Sequence, residues 1–489
     1  MPVLKNGTGL SRRLFMSGAA STMATIAGPR ARAAEPVITP LMQQLSTYMA
    51  GAGAARLPAD AMDHTKGHIL DTISAMISGA ELPPGQFDLK FARTLAGNGP
   101  CTIAASNLLA GPADAALINA LLAHSDETDD SHQRSQSHPG CAVVPAALAV
   151  CEKSDASGER FLNAVALGYD VGTRFGMMLG RQQYMAATHR STHALVSNFG
   201  AAAAAGASAG LTLQQMRWLV SYAAQQASGL ASWQRDTDHI EKAFDFGGMG
   251  ARNGVYAALI VQAGGTGVDD VLGGADNFLQ AFGPLMPPEI LVDGLGTRFE
   301  VARTNYKKWT VGSPIQAPLD AVQMLMQKNK FTGDQAAKVA VRVATHEAAV
   351  VDNRVIPDIC LQHMVAVMLV DGTVSFKAAH DNARMADPKV LAQRAKVELI
   401  RDEELEKLLP SRVAIVEITL TDGRKLTQRI NAVRGTEENP MTRAEIQDKA
   451  TDLIAPSLGT QTCKNLIDAI YGLEKMPTIR ALRPLLQKT

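Results

Sequence analysis

Residues 124 to 140, HSDETDDSHQRSQSHPG, place three histidines (His124, His132, His138) and four carboxylates (Asp126, Glu127, Asp129, Asp130) within seventeen positions. A histidine beside a carboxylate titrates near neutral pH and can take or give a proton. Three readings of the stretch stand. It is a solvated acidic turn, since four carboxylates are not buried without partners. It is a metal site built from the carboxylates with His132 and His138. Or it is a catalytic loop that moves protons. The spacing matches neither the EF-hand D-x-[DN]-x-[DN]-G pattern nor the H-E-x-x-H zinc pattern. In the closing HPG, Pro139 biases His138 towards extended backbone and Gly140 permits a tight turn.

The elements that must carry this loop are helical. GPADAALINALLAHS, just before it, has Pro112 at a helix start and apolar residues three and four apart. GERFLNAVALGYDVGTRFG and the Ala/Gly run from Gly200 to Gly210 continue the helical theme, and the small residues let helix backbones approach closely. After about residue 300 the texture changes. AAKVAVRVATHEAAV alternates as a strand does, and SRVAIVEITLTDGRKLTQRINAV is two alternating runs joined at Asp422-Gly423, a hairpin signal. Between them CLQHMVAVMLVDG reads as a buried helix, and from NPMTRAEIQDKATDLI the chain is helical again. The expected fold is mainly α: a large helical domain (35–300 and 435–489) interrupted by a smaller α+β unit (301–434), with the site in the cleft between them.

The chain has 47 basic and 47 acidic residues, but the first 34 carry five basic residues and no acid. The remainder holds 42 basic against 47 acidic residues, which leaves no electrostatic footprint for nucleic acid. Within those 34 residues, Arg12 and Arg13 precede an apolar run from Leu14 to Gly28, and ARA at 31 to 33 offers a cleavage site near Ala33. This is the layout of a twin-arginine (Tat) export signal. It makes the Tat export machinery an expected partner and the periplasm or the exterior the expected location. The apolar run is short for a membrane span, so no stable membrane insertion is expected after cleavage. The five cysteines form no C-x-x-C pair and read as buried thiols.

LINALLAHSDETDDSHQRSQSHPGCAVVPAALAV resembles the signature of the MmgE/PrpD family, roughly N-x-x-x-x-H-x-x-D-[FY]-D-D-T followed by H-P and a small-residue helix. Asn119, His124, Asp129, Asp130, Ser131, His138 and Pro139 fall on that pattern. GYDVGTRF, FGAAAAAGASAGL, ARNGVYAALIVQAG, VAVMLVDG and RGTEENPMTRAEIQDK resemble further family blocks in the family's order. The resemblance implies an all-helical domain with an α+β lid, usually as a homodimer. It implies a lyase that binds a small di- or tricarboxylate and moves a proton, with no cofactor and no required metal.

Carried over residue by residue, the resemblance puts Glu127 at the family's first loop aspartate, Ser131 at its loop threonine and His138 at its loop histidine. It puts Lys242, in K-x-F-x-x-G, at the substrate-binding lysine. His138 is the expected base or acid. Lys242 is expected to hold a carboxylate and stabilise developing charge, with Ser131, Asp130 and His193 as further binding residues; Glu127 and Ser131 are expected to orient substrate or relay protons, and His363 to supply another hydrogen bond or proton. Beyond the glutamate-for-aspartate and serine-for-threonine replacements, the chain departs from the pattern in three places. His189 and His193 both lie near a family histidine whose strict position is Ser191. His363 replaces a tyrosine. Ser313 and Pro314 stand where many relatives have a histidine. Dehydration, of the 2-methylcitrate type, is the favoured reaction. Decarboxylation, epimerisation and ligand binding without chemistry remain open.

Overall fold

The computed structural model describes residues 37–488; the export signal read at 1–34 lies outside them. Most described residues are helical, and no helix among them is long and apolar enough to cross a membrane. Five helices frame the site from the N-terminal side: α1 (Ala59–Gly79), α2 (Pro112–Ala123), α3 (Gly140–Ser154), α4 (Gly158–Leu179) and α5 (Thr192–Ala209). A sixth, α6 (Met249–Gln262), packs on α2 and α5. The spacing of apolar residues in α2 suggests one buried face. The helix is in fact buried on nearly every side, because α1, α3 and α6 surround it. That enclosure fixes the direction in which the loop after α2 leaves.

The Ala/Gly-rich sequence of α4 and α5 has a geometric purpose. A Cβ on Gly172 would stand 2.7 Å from the Val196 carbonyl and 2.9 Å from the Gly200 Cα. Neither backbone atom can swing aside. Gly172→Ala gains up to about 1 kcal/mol in helix propensity but forces overpacking worth about 1–3 kcal/mol. The expected outcome is a net loss of about 1 kcal/mol, read as a fall in denaturation midpoint with an unchanged far-UV spectrum. An unchanged or higher midpoint would refute the close-packing argument.

Two apolar cores form. One runs from Met42 to Tyr306 and resumes at Met441, where α10 (Arg443–Leu458) docks on α1. The other runs from Trp309 to Val433. It contains α7 (Ser313–Asn329), α8 (Leu361–Asp371), the short α9 (Phe376–His380) and a four-stranded sheet. The strands are β1 (Ala336–Ala344), β2 (Val397–Asp402), β3 (Ala414–Leu420) and β4 (Lys425–Ile430), in the order β2-β1-β3-β4. β1 pairs with β2 in parallel and with β3 antiparallel. The β3–β4 hairpin turns at Asp422-Gly423, where Gly423 takes a φ of 87° that its missing Cβ permits. Period-two alternation puts Val339, Val341, Val416 and Ile418 in the same core as Met364, Val365 and Met368 of α8. β1 stops at Ala344, so the second half of AAKVAVRVATHEAAV is helical (Thr345–Val351) rather than extended. The five cysteines are all buried and unpaired.

Candidate active site

The loop between α2 and α3 is not a solvated turn. His124 and Asp126 to Asp130 are all at most 6% exposed, and each carboxylate has a partner. Those partners come from distant parts of the chain. Asp130 accepts from the Gly140 amide (3.1 Å) at the start of α3 and from the Tyr169 hydroxyl, and lies 3.1 Å from His68 Nδ1. Its carboxylate is thereby used to fix the backbone around His138. It makes no bond to Lys242, and the bonds it does make position the loop. Gly140 has an ordinary helical backbone. It is glycine because a Cβ would meet Thr72 Oγ1 at 2.5 Å and the Tyr169 hydroxyl at 2.6 Å, not because the chain turns sharply. Lys449 of α10, buried, donates to Asp71 (2.6 Å) and to the Thr128 carbonyl (2.8 Å). Tyr169→Phe removes one donor to a buried carboxylate. A loss of about 2 kcal/mol is expected in urea unfolding; no loss would mean that Asp130 is held by its other partners alone.

With the loop fixed, its remaining side chains converge. Asp129 holds two imidazoles, His124 Nδ1 at 3.0 Å and His138 Nδ1 at 3.2 Å. Burial works against the Asp129 charge, yet those two histidines keep its carboxyl well below the usual range. His138 keeps a side-chain exposure of 11%, and its Nε2 has no hydrogen-bond partner among the described residues. Glu127 is the anionic centre. Lys242 donates to its Oε1, His239 Nε2 lies 3.4 Å from the same oxygen, and Lys307 reaches Oε2 at 3.3 Å and the Glu127 carbonyl at 2.8 Å. Burial opposes ionisation of Glu127, but Lys242 and Lys307 hold its pKa well below normal. Burial likewise opposes the charge on Lys307, and Glu127, Asp129 and Asp126 raise its pKa in spite of it.

An aromatic wall closes one side. His193, the second residue of α5, stacks on Phe246 with ring centroids 3.8 Å apart and meets Trp233 edge-on. Its ring lies 5.8 Å from that of His138. Burial, then His138 and Lys242, push the His193 pKa well below its usual value, so it is a neutral imidazole. Lys242 Nζ sits 5.2 Å from the Phe246 ring centre. Phe246 belongs to a π-turn, Phe244–Gly248, that joins the Lys242 segment to α6. Such turns re-aim side chains at functional sites. His239, three residues before Lys242, has a φ of 61°, a left-handed backbone that costs about 1 kcal/mol or more outside glycine.

The sequence-based candidates divide as follows. Glu127, His138, Lys242 and His193 meet in one cluster. Of the two α5-side histidines, His193 is in it and His189 is exposed outside it. Ser131 is half-buried, its backbone paired with Asn305 two residues before Lys307, and its hydroxyl makes no bond to that cluster. His132 is bound to Ser135 and Glu300 and serves the loop's own structure. His363 is fully buried in the second core, with both ring nitrogens unpartnered. Burial, with Arg394 and Arg384, lowers its pKa to about 4. It has no bond to the cluster. Lys307 and His239 carry no signal in their neighbouring sequence, and the loop pattern marks Asp129 without showing that it clamps both His124 and His138. His380 of α9 enters from the second core: its Nε2 lies 2.8 Å from Asp126 and 4.0 Å from Asp358.

Metal-ligating atoms also come close. Those of His124, Glu127 and His239 lie within 4.8 Å of one another, as do those of His124, Asp129 and Cys141. In the first set two ammonium groups already occupy Glu127, and a divalent ion would have to expel them. In the second, burial pushes the Cys141 thiol well above its usual pKa, which opposes thiolate ligation. The donor sets therefore fit a hydrogen-bonded network better than a resident metal.

The MmgE/PrpD N-terminal domain matches residues 43–290, and the MmgE/PrpD C-terminal domain matches residues 309–474. The chain is 26% identical to a cis-aconitate decarboxylase of Aspergillus terreus, over 88% of this chain and 92% of that protein. It is 24% identical to a cis-aconitate decarboxylase-like protein of Aspergillus oryzae (91% and 96%) and 23% identical to the cis-aconitate decarboxylase of Homo sapiens (91% and 94%).

Proposed function

The chain belongs to the MmgE/PrpD family, and from that premise we propose that it is a lyase acting on a small di- or tricarboxylate. The observation that carries the proposal is one cluster: an Asp129-held His138 with its Nε2 uncommitted, beside the two ammonium groups of Lys242 and Lys307. A substrate carboxylate pairs with Lys242, whose compact charge also stabilises the negative charge that develops at carbon. His138 moves the proton. Asp129 fixes its tautomer by accepting from Nδ1, which leaves Nε2 to face the substrate. Ser131 supplies a hydroxyl at the rim. His193, neutral and stacked on Phe246, can accept a hydrogen bond.

The names of the relatives move the preferred reaction from dehydration to decarboxylation of an acid like cis-aconitate. In that step the bond from carbon to a carboxylate breaks, its electron pair stays on the carbon skeleton, and His138 delivers the proton that replaces carbon dioxide. Dehydration of a citrate-like acid shares the carbanion-like intermediate and is the second reading, supported by the family resemblance. The proposal includes twin-arginine export to the periplasm or exterior, an α+β portion that covers the site as a lid, and a homodimer. Cell fractionation and sedimentation test the first and the last.

The decisive experiment is proton NMR of the purified protein in deuterium oxide with cis-aconitate, citrate and 2-methylcitrate. Expected is a decarboxylated product in stoichiometric excess carrying one deuterium from solvent on carbon. A hydrated or dehydrated product instead would select the second reading. Line broadening without any product or exchange would replace the lyase by a polycarboxylate-binding protein.

A further inference from the structure

Glu127 differs from the other loop carboxylates in what it binds. Asp126, Asp129 and Asp130 hold the loop or its imidazoles. Asp129 also lies 3.7 Å from Lys307, but of the four only Glu127 pairs with Lys242 as well as Lys307. Lys307 grips it at two points, the backbone carbonyl at 2.8 Å and Oε2 at 3.3 Å, so the arm is anchored and only its tip extends to Lys242. Lys242 retains 16% side-chain exposure and Glu127 8%, so the pair lies at the accessible edge of the cluster rather than beneath it. The ammonium that is best placed to receive a ligand's carboxylate already carries one.

We infer that Glu127 is a built-in competitor for the carboxylate subsite at Lys242, and that a substrate binds by displacing it. The inference rests on the polycarboxylate reading above and adds a rule of selectivity to it. Glu127 is tethered to the same chain, so it competes at the high effective concentration of an intramolecular group. A monocarboxylate that displaces it exchanges one carboxylate–ammonium contact for another and leaves Glu127 without its Lys242 partner. An acid with a second or third carboxylate brings further contacts that Glu127 cannot make, and those decide the exchange. The residue thus screens out singly charged acids and raises the dissociation constant of every acid that does bind. The length of the side chain is the working feature: an aspartate would stay near Lys307 but fall a methylene short of Lys242.

Isothermal titration with propane-1,2,3-tricarboxylate, which has neither a hydroxyl to eliminate nor a double bond, reads binding apart from turnover. Butyrate serves as the singly charged probe. Glu127→Gln is expected to bind the tricarboxylate about tenfold more tightly than the unmodified protein, the scale of one charge-assisted hydrogen bond released from competition. It is also expected to bind butyrate measurably where the unmodified protein does not. Glu127→Asp, which keeps the charge and so safeguards folding, is expected to fall between the two. Equal or weaker tricarboxylate binding in both variants overturns the inference, because Glu127 would then be helping the ligand rather than competing with it. If the unmodified protein and both variants bind neither probe, and none of the acids above is converted, the polycarboxylate reading itself has failed.

Discussion

Replacing His138 with alanine is expected to lower turnover by about three orders of magnitude, within the range of 10²–10⁴ for a positioned general acid or base. The loss should appear in kcat with KM little changed, because the carboxylate-binding cations are untouched. The fold should survive. His138 is partly exposed, and its partner Asp129 keeps His124 at 3.0 Å and Lys307 at 3.7 Å. His363→Leu provides the contrast. Its imidazole lies in the second core with no bond to the cluster, so turnover is expected to stay within a few-fold of the unmodified protein. Steady-state assays on the acid identified by NMR check both. A His138→Ala protein with near-normal kcat would remove the proton-transfer role from this residue, and an equal collapse in His363→Leu would restore the role the sequence suggested for it.

What the sequence could show about this site, and what it could not, follows from where each partner lies in the chain. The loop 124–140 was legible as the chemical centre because its histidines and carboxylates are contiguous. Lys242 was legible because a pattern of neighbours marks it. The burial of the loop was not. Its carboxylates meet Lys307 and His380 and its backbone is held by Lys449, all far along the chain, and local composition alone reads as a solvated turn. Lys307 sits in TNYKKWTVG, where nothing distinguishes it from the neighbouring Lys308, which pairs with Asp320. Asp130 shows the same limit: a sequence shows a carboxylate but not that it accepts from Gly140 and Tyr169. The helices and the β3–β4 hairpin were read correctly because their signals are periodic or confined to a turn. The absent histidine at Ser313-Pro314 is instructive in the same way. The Gly312 amide, just before α7, donates to the Asp358 carbonyl (3.0 Å), and Asp358 faces His380. An imidazole therefore does approach that corner, from another helix.

His380 gives the last expected result, a stability that falls on the alkaline side. Its Nδ1 faces the Phe376 carbonyl at 2.8 Å, and its Nε2 lies 2.8 Å from the Asp126 carboxylate, an ion pair when the ring is charged. The groups around it are Asp126 from the loop, Asp358 from the 357–359 turn, and the carbonyl and ring of Phe376 from its own helix. Burial works to lower its pKa, but Asp126, then Asp358 and Phe376, raise it to about 9. Burial raises the Asp358 carboxyl itself, which leaves Asp126 as the main counterion. The folded-state value exceeds the unfolded value of 6.5, so the stabilisation is complete below pH 6.5 and is lost as pH rises through 9. A rise of that size is worth about 3 kcal/mol. At the acid end the same pair is lost where Asp126 takes up its proton, at a pH below the usual carboxylate range: burial opposes its charge, but His380 and Thr128 lower its pKa. Urea unfolding of the unmodified protein and of His380→Gln at pH 6, 8 and 10 checks this. The difference between them should be about 3 kcal/mol at pH 6 and close to zero at pH 10. A difference that does not change with pH would mean that His380 acts through packing alone. The pair joins the second core to the residue before Glu127, so its loss also loosens the seat of the site's anionic centre. Activity should therefore decline over the same alkaline interval in the unmodified protein, and His380→Gln should show the reduced activity already at pH 6.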